Sequence, residues 1–301
     1  MVPQQDYCLV GSAGYDRDRF VALPQVQPRL PRRIRRCMTR SILLMLAFFV
    51  VAGVARAQSL NLTDQATTKT FTGAHLLADK AARDIEIADP VYKRIMSYRV
   101  ISMADLLRDL KVGNDDYVQA RAVDNFSVAI PGTLLKEDAF LAIESAAAPW
   151  PKLPGGTTSA GPFYIVWQSR SDAGISSEYW VYHLASLTIT DSPAKRWPGL
   201  AVDADVPAAD PVRRGLDRFV AVCLACHRFA GEGEGTQGPD LARPMNPVDY
   251  FQPAALRKFL RDPRSVRAWA EQKMPAFGEE SLPDSDIDAI VAWLAYKAGK
   301  R

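Results

Sequence analysis

Three residues near the carboxyl end of the chain have types and spacing suited to covalent chemistry. Cys223 and Cys226 stand three positions apart, and His227 follows directly. Side chains three apart on a helical turn share one face, so both thiols can add to the vinyl groups of a porphyrin while the His227 imidazole reaches its iron. The pattern C-x-x-C-H is typical of c-type haem attachment. The sequence therefore predicts one covalently bound haem c, ligated by His227.

The same residues allow two other interpretations. A thioredoxin-like redox pair also has the C-x-x-C pattern, and zinc binds thiolate and imidazole ligands. A structural zinc site needs four ligands, but no cysteine follows Cys226 and no histidine follows His227. Only three soft ligands are thus close together in the chain, which favours haem over zinc.

The sequence on both sides of the motif supports the haem interpretation. A short amphipathic run, Arg214–Val222, leads into the cysteines. Downstream come Gly238–Leu241, then Lys273–Phe277, then apolar residues at helical spacing within Asp284–Ala298. Together these segments resemble the class I cytochrome c family over residues 213–301.

The resemblance implies roles for further residues. Met274 matches the thioether ligand on the second side of the iron, and the carbonyl of Pro239 matches the group that accepts the ring N–H of His227. Ligation by histidine and methionine raises the reduction potential and fills both axial positions, which favours electron transfer over binding of small molecules. The positions where the first and last helices of the family cross are matched by Gly215, Phe219, Ile290 and Trp293.

Two alternatives to Met274 as a ligand stay open. Many methionines fill gaps in a core, and Met245 also lies in a predicted loop, between Pro244 and Pro247. Pro275 disfavours helical geometry at Met274, so we predict a loop there. A loop suits a ligand better than a packed helix does.

Length, composition and charge limit the other possibilities. At 301 residues, 48% of them hydrophobic, the chain can form about two domains with real cores. Of its 37 Lys and Arg, nine lie in residues 1–57, together with three of its 34 Asp and Glu. The rest of the chain is therefore weakly acidic, and nothing suggests nucleic acid as a partner.

Residues 1–57 have the pattern of an upstream extension and a cleavable signal peptide. Arginines precede an apolar run from Ile42 to Val54, and Ala55-Arg56-Ala57 is a small-x-small cleavage pattern. The run has thirteen residues, fewer than the roughly twenty of a membrane span. We expect cleavage after Ala57, a periplasmic location and no transmembrane span in the mature chain, with a retained amphipathic anchor as the alternative. Cleavage would also remove Cys8 and Cys37, so no disulfide is expected.

Residues 58–200 have the pattern of a sheet-dominated α+β domain, and a Pro/Ala/Asp-rich linker, residues 201–212, joins it to the all-α cytochrome c domain at 213–301. Residues 58–72 are expected to be an extended entry segment. Helices are predicted at 102–110 and 136–148. Strands are predicted at 94–101, 117–123, 126–130, 163–167 and 179–190.

A second resemblance covers about 110 residues of this first domain. The segments at 102–107, 122–131, 161–167 and 178–181 resemble the molybdopterin-binding domain of sulfite-oxidase-type oxidoreductases. That family binds molybdenum through a cysteine thiolate, but residues 58–200 contain no cysteine, and Ala122 stands near the expected position. The resemblance thus implies a scaffold without its metal ligand, and molybdopterin is not an expected cofactor.

No catalytic residue is assigned in the first domain. Its histidines, His75 and His183, have no carboxylate one helical turn away, and Ser159 has no general base in sequence reach. Acids in turns are usually solvent-facing caps, which is our interpretation of Asp115, Asp116 and Asp124, with a cation site as the alternative. Four aromatic residues are interpreted as core, with a docking surface as the alternative: Trp167, Tyr179, Trp180 and Tyr182.

The sequence therefore predicts a periplasmic electron carrier whose first domain docks a dehydrogenase or oxidase. One alternative is an oxidoreductase subunit whose first domain binds molybdopterin or a small oxyanion and passes electrons to the haem. Another is a haem-based sensor, which requires an axial position that opens.

Overall fold

The computed structural model describes residues 59–64, 67–168 and 175–300. These described residues belong to one compact unit. The predicted signal segment, with Cys8 and Cys37, lies outside the described residues. Among those residues, we find no helix with the length and apolar character needed to cross a bilayer.

Two β-sheets dominate residues 59–200, which we call the sheet region. One sheet has the order β2-β1-β9-β5-β6, and the other has the order β3-β4-β7-β8. All neighbours are antiparallel except β1 and β9. The strands are β1 (Ser59–Thr63), β2 (Thr68–Thr72), β3 (Arg83–Asp89), β4 (Arg94–Ser102), β5 (Tyr117–Ala122), β6 (Ser127–Pro131), β7 (Ala139–Ile143), β8 (Phe163–Trp167) and β9 (Leu184–Thr190).

Short helical segments connect these strands. They are α1 (Gly73–Leu77), α2 (Met103–Leu106), α3 (Gly132–Asp138), a 3₁₀ turn (Ser177–Tyr179), α4 (Pro193–Arg196) and a second 3₁₀ turn (Pro198–Leu200). Helix α2 begins at the predicted cap, where the Ser102 side chain accepts a hydrogen bond from the Asp105 N–H at 3.0 Å. The helix ends at Leu106, earlier than the predicted Leu110.

The predicted helix over 136–148 is wrong. Helix α3 ends at Asp138, and β7 follows at once as a strand paired with β4 and β8. All five residues of β7 are buried, so the strand has no polar alternation. A strand buried on both faces is a continuous apolar run, which hydrophobic periodicity cannot distinguish from a buried helix.

Two other boundaries differ from the predictions. Residues 58–72 do not form a simple extended segment, because β1 and β2 pair as a hairpin with Ser59 opposite Thr72. The strand predicted over 179–190 begins only at Leu184, since His183 has a φ of 52° and interrupts the extended backbone. The strands at 94–102, 117–122, 127–131 and 163–167 confirm the predictions to within about a residue.

Helices dominate residues 211–300, which we call the helical region. They are α5 (Pro211–Arg218), a π-helical turn (Phe219–Cys223), α6 (Pro247–Tyr250), α7 (Pro253–Arg261), a 3₁₀ turn (Pro263–Ser265) and α8 (Asp284–Ala298). Helices α5 and α8 cross at Gly215, where an added Cβ would lie 2.7 Å from the Cβ of Trp293. The Phe219 and Trp293 rings pack with their centroids 4.3 Å apart. The sheet-rich part followed by the helical part agrees with the predicted two-part layout.

The predicted linker lies against α8. The Trp293 indole N–H donates to the carbonyl of Leu200 at 3.3 Å, and the Lys297 ammonium donates to that of Ala201 at 3.2 Å. The Asp203 N–H donates to the Tyr296 hydroxyl at 3.1 Å. These contacts hold residues 200–203 in place along the last helix.

Candidate haem-attachment site

The two cysteines and the histidine lie at the end of a widened helical turn. The Leu224 N–H donates to the carbonyl of Phe219, five residues earlier, at 2.9 Å, so the chain leaves α5 through a π-helical turn. The N–H groups of Cys226 and His227 both donate to the carbonyl of Cys223, at 3.1 and 2.8 Å. The structure thus brings Cys223, Cys226 and His227 together on one tight turn.

The imidazole of His227 is oriented by a backbone carbonyl. Its Nδ1 lies 2.8 Å from the oxygen of Pro239, the contact that the family resemblance implies. An Nδ1–H that donates to this carbonyl leaves Nε2 with its lone pair free, which is the arrangement of a metal-ligating histidine. Burial lowers the pKa of His227 although the Pro239 contact acts in the opposite direction. The lowered pKa favours the neutral form of the ring.

The loop 235–239 packs closely against this ring. The Gly238 N–H donates to the Cys226 carbonyl at 2.9 Å. A Cβ built at Gly238 would lie 2.6 Å from Nδ1 of His227, and one at Gly235 would lie 2.5 Å from its backbone nitrogen. Glycine is required at both positions because any side chain would displace the histidine.

The two thiols are free and protonated. Cys223 and Cys226 form no disulfide. Burial, with the charge of Glu178 as the next contribution, raises the pKa of the Cys223 thiol to about 12 and that of Cys226 to about 11. The reactive cysteine of a thioredoxin-like pair is a thiolate, so these raised pKa values do not favour that interpretation. In the part of the chain that the structure describes, no group of three or more His, Cys, Asp and Glu is arranged to hold a metal ion.

Met274 and Met245 occupy different environments. Met274 is half-buried against the core, in the irregular segment before α8, whereas Met245 is 47% exposed. The segment is held by Arg261, whose guanidinium donates to the carbonyls of Phe277 and Leu282, each at 2.7 Å. Sequence reasoning missed Arg261, because nothing in its surroundings marks an arginine that bonds to backbone carbonyls sixteen and twenty-one positions ahead.

The sheet region contributes residues that sequence reasoning also missed. Glu234, seven positions after His227, is hydrogen-bonded by Ser127 at 3.0 Å and by Arg196 at 2.5 Å, and it pairs with Arg121. Arg196 also donates to the side-chain oxygen of Gln119 at 2.8 Å. These contacts join β5, β6 and α4 to the loop after the cysteines. No local motif predicts these contacts, since the partners lie up to 113 positions apart.

The remaining candidate site residues lie in turns, in the core or on the surface. His183 Nε2 lies 2.6 Å from the carbonyl of Ser159. Asp116 accepts from the Gly113 N–H and Asp124 from the Phe126 N–H, which are turn contacts rather than a cation site. His75 and Asp115 are exposed. Of the four aromatic residues, Trp167, Tyr179 and Trp180 are core, and Tyr182 is 39% exposed.

The chemistry of these residues fits haem c. Two unpaired thiols share a turn with a neutral histidine whose Nε2 is free, and glycines line the loop behind the ring. Thioether attachment needs two cysteines with no other bond, and axial ligation needs a free imidazole nitrogen. The set therefore meets the requirements of covalent haem attachment better than those of the alternatives.

Comparison with known proteins agrees with this geometry. Residues 210–294 match the family model described as cytochrome C oxidase, cbb3-type, subunit III. No curated protein matches the chain. The match leaves the sheet region uncovered, so its resemblance to the sulfite-oxidase-type domain stays a prediction. Residues 210–294 are a class I-like c-type cytochrome domain, and the chemistry of such a domain is haem-based electron transfer.

Proposed function

We propose that this protein is a periplasmic cytochrome that transfers single electrons through one covalently attached haem c. The sheet region acts as a module that docks a redox partner, either a dehydrogenase or an oxidase. The observation that carries the proposal is the turn of Cys223, Cys226 and His227 with its Nδ1 contact to Pro239. The family match over residues 210–294 supports it independently.

Each residue of the site has a distinct role in this proposal. Cys223 and Cys226 hold the haem by thioether bonds, and Pro239 keeps the His227 ring in the tautomer that presents Nε2 to the iron. Met274 is the second axial ligand, since it is half-buried in an irregular segment while Met245 is more exposed. Haem c with histidine and methionine ligands supplies a one-electron Fe(III)/Fe(II) couple.

Haem attachment is tested on the full chain, expressed with a cytochrome c maturation system. We expect a haem stain that remains with the polypeptide after denaturation and one haem per chain by pyridine haemochrome absorption. The Cys223→Ala/Cys226→Ala double variant should lose the covalent stain. Wild-type protein without covalently held haem would overturn the proposal.

Location and docking are tested separately. Periplasmic export predicts a mature protein that begins at Gln58, which amino-terminal sequencing of the secreted fraction reads directly. Elemental analysis of the same protein decides the enzyme alternative, because stoichiometric molybdenum beside iron would show that the sheet region is more than a docking module.

A further inference from the structure

One short segment of the sheet region covers the turn that carries the cysteines. The 3₁₀ turn Ser177–Tyr179 packs against the π-helical turn Phe219–Cys223. The Ser176 hydroxyl donates to the carbonyl of Ala221 at 2.9 Å, and both residues are buried. The sheet region is thereby fixed against one side of the haem-attachment turn.

Glu178 lies in the middle of this segment. Its N–H donates to the Ser176 hydroxyl at 3.2 Å, and its carboxylate accepts from the Ser177 hydroxyl at 3.5 Å. None of the ion pairs formed by the described residues includes Glu178. When an acid packs beside another element without an ion pair, a new charge placed nearby shifts its pKa.

The charge of Glu178 affects the pKa of both cysteine thiols. After burial, it is the main cause that raises the pKa of the Cys223 and Cys226 thiols. Burial raises the pKa of Glu178 itself to about 7, with the Ser177 contact acting the other way. The cysteines join the haem through carbon–sulfur bonds and do not ligate the iron.

Other charged groups around the segment affect the pKa values of its tyrosines. Asp217 and Arg218 of α5 affect the pKa of Tyr179, and Asp124 and Glu178 affect that of Tyr182. Of these charged groups, Glu178 is the one whose charge raises the pKa of both cysteine thiols.

We propose that Glu178 is the residue through which the sheet region sets the reduction potential of the haem attached at Cys223 and Cys226. This inference rests on the proposed function. It assigns the sheet region a part in redox tuning, in addition to docking.

The direction of the effect follows from charge. An ionised Glu178 stabilises the oxidised cofactor, which carries one more positive charge, and so lowers the reduction potential. When the cofactor gains one electron from an external donor, Glu178 binds a proton from solvent more tightly. At an effective dielectric constant of about 20, unit charges about 10 Å apart change a proton affinity by roughly tenfold. The potential should therefore fall as pH rises through the region near pH 7.

The test is a potentiometric titration of the haem-loaded full chain at pH 6 and pH 8. The variants are Glu178→Gln, which removes the charge with little change in shape, and Glu178→Asp, which keeps the charge. Glu137→Gln is the matched control, because Glu137 is an exposed acid of α3 in the same sheet region.

We expect wild type, Glu178→Asp and Glu137→Gln to have a lower potential at pH 8 than at pH 6. Glu178→Gln should have a higher potential than wild type at pH 8, a smaller difference at pH 6 and a flattened pH dependence. If Glu178→Gln matches wild type at both pH values, the inference is wrong even though the protein is a cytochrome. Wild-type protein that lacks covalent haem would instead remove the proposed function, and the haem stain separates the two outcomes.

Discussion

At the scale of single residues, the identity of the second axial ligand would decide how the iron of the proposed haem behaves. Met274 and Met245 both lie outside regular helices, but the structure half-buries Met274 and leaves Met245 47% exposed. An exposed thioether is open to water, which competes for a ligand position. A half-buried thioether in a segment anchored by Arg261 is better placed to exclude water from the iron.

Replacing Met274 with leucine should open one axial position. We expect the potential of Met274→Leu to fall by on the order of 0.1 V or more, since axial ligands set haem potentials over roughly 0.8 V. The reduced variant should also bind carbon monoxide, whereas the wild type should not. Met245→Leu is the matched control and should retain the wild-type potential and spectrum. If Met245→Leu lowers the potential and binds carbon monoxide while Met274→Leu does not, Met245 is the ligand.

The residues of the candidate haem-attachment turn could be singled out from the sequence because their signal is local. Cys223, Cys226 and His227 fall within five consecutive positions, and Pro239 follows from the family pattern. Glu178, Arg196 and Glu234 were not predictable, since each acts through contacts between distant parts of the chain. A glutamate has no sequence context that distinguishes a half-buried acid packed against a distant element from a solvated one.

At the scale of elements, the crossing of α5 and α8 depends on a glycine. A Cβ at position 215 would overlap the carbonyl of Ala289 and lie 2.7 Å from the Cβ of Trp293. The helices pack without space for a methyl group there. Asp286 of α8 adds to the contact by pairing with Arg214 at 2.5 Å.

The Gly215→Ala variant should be destabilised through overpacking. We expect a loss of about 1–3 kcal/mol or more in the free energy of unfolding, measured by chemical denaturation of the haem-loaded chain. Gly299→Ala is the control at the end of α8, where an added Cβ meets its nearest atoms at 3.7 and 3.8 Å, ordinary contact distances. Equal losses in the two variants would contradict a specific role for the crossing.

The elements themselves were predictable where their patterns were unambiguous. The apolar spacing of Asp284–Ala298 matches α8 in full, and the alternation of β4 matches its buried residues Met96, Tyr98 and Val100. The helix predicted over 136–148 was wrong because residues 139–143 form a strand that is buried on both faces. Tertiary pairing with β4 and β8 decides its structure, and a single sequence does not contain that information.

At the scale of the whole molecule, Glu234 joins the sheet region to the helical region. Burial alone would raise the pKa of Glu234, but hydrogen bonds from Arg196 and Ser127 and the charge of Arg121 hold it below its ordinary value. A carboxyl with a lowered pKa stabilises the folded state above its unfolded-state pKa of about 4.3, and this contribution disappears as pH falls through the folded-state value.

The Glu234→Gln variant should therefore lose stability in a pH-dependent way. At pH 7 we expect a destabilisation of about 1–2 kcal/mol, because the hydrogen bonds to this charged group are only part-buried and solvent screens them. The difference from wild type should shrink below about pH 4.5 as the wild-type carboxylate is protonated. Thermal unfolding across pH 3–7 measures both effects. The exposed Glu279→Gln serves as control, and a Glu234→Gln curve parallel to that of wild type at every pH would contradict the expectation.

The contact between Ser176 and Ala221 has a consequence for how the mature molecule is made. Phe219, Val220, Ala221 and Val222 are each at most 6% exposed, because the rest of the chain closes over the turn leading to Cys223. A catalyst that joins a porphyrin to the cysteines needs access to that backbone. The proposed haem attachment therefore predicts that the thioether bonds form before the Ser176 segment closes over this turn.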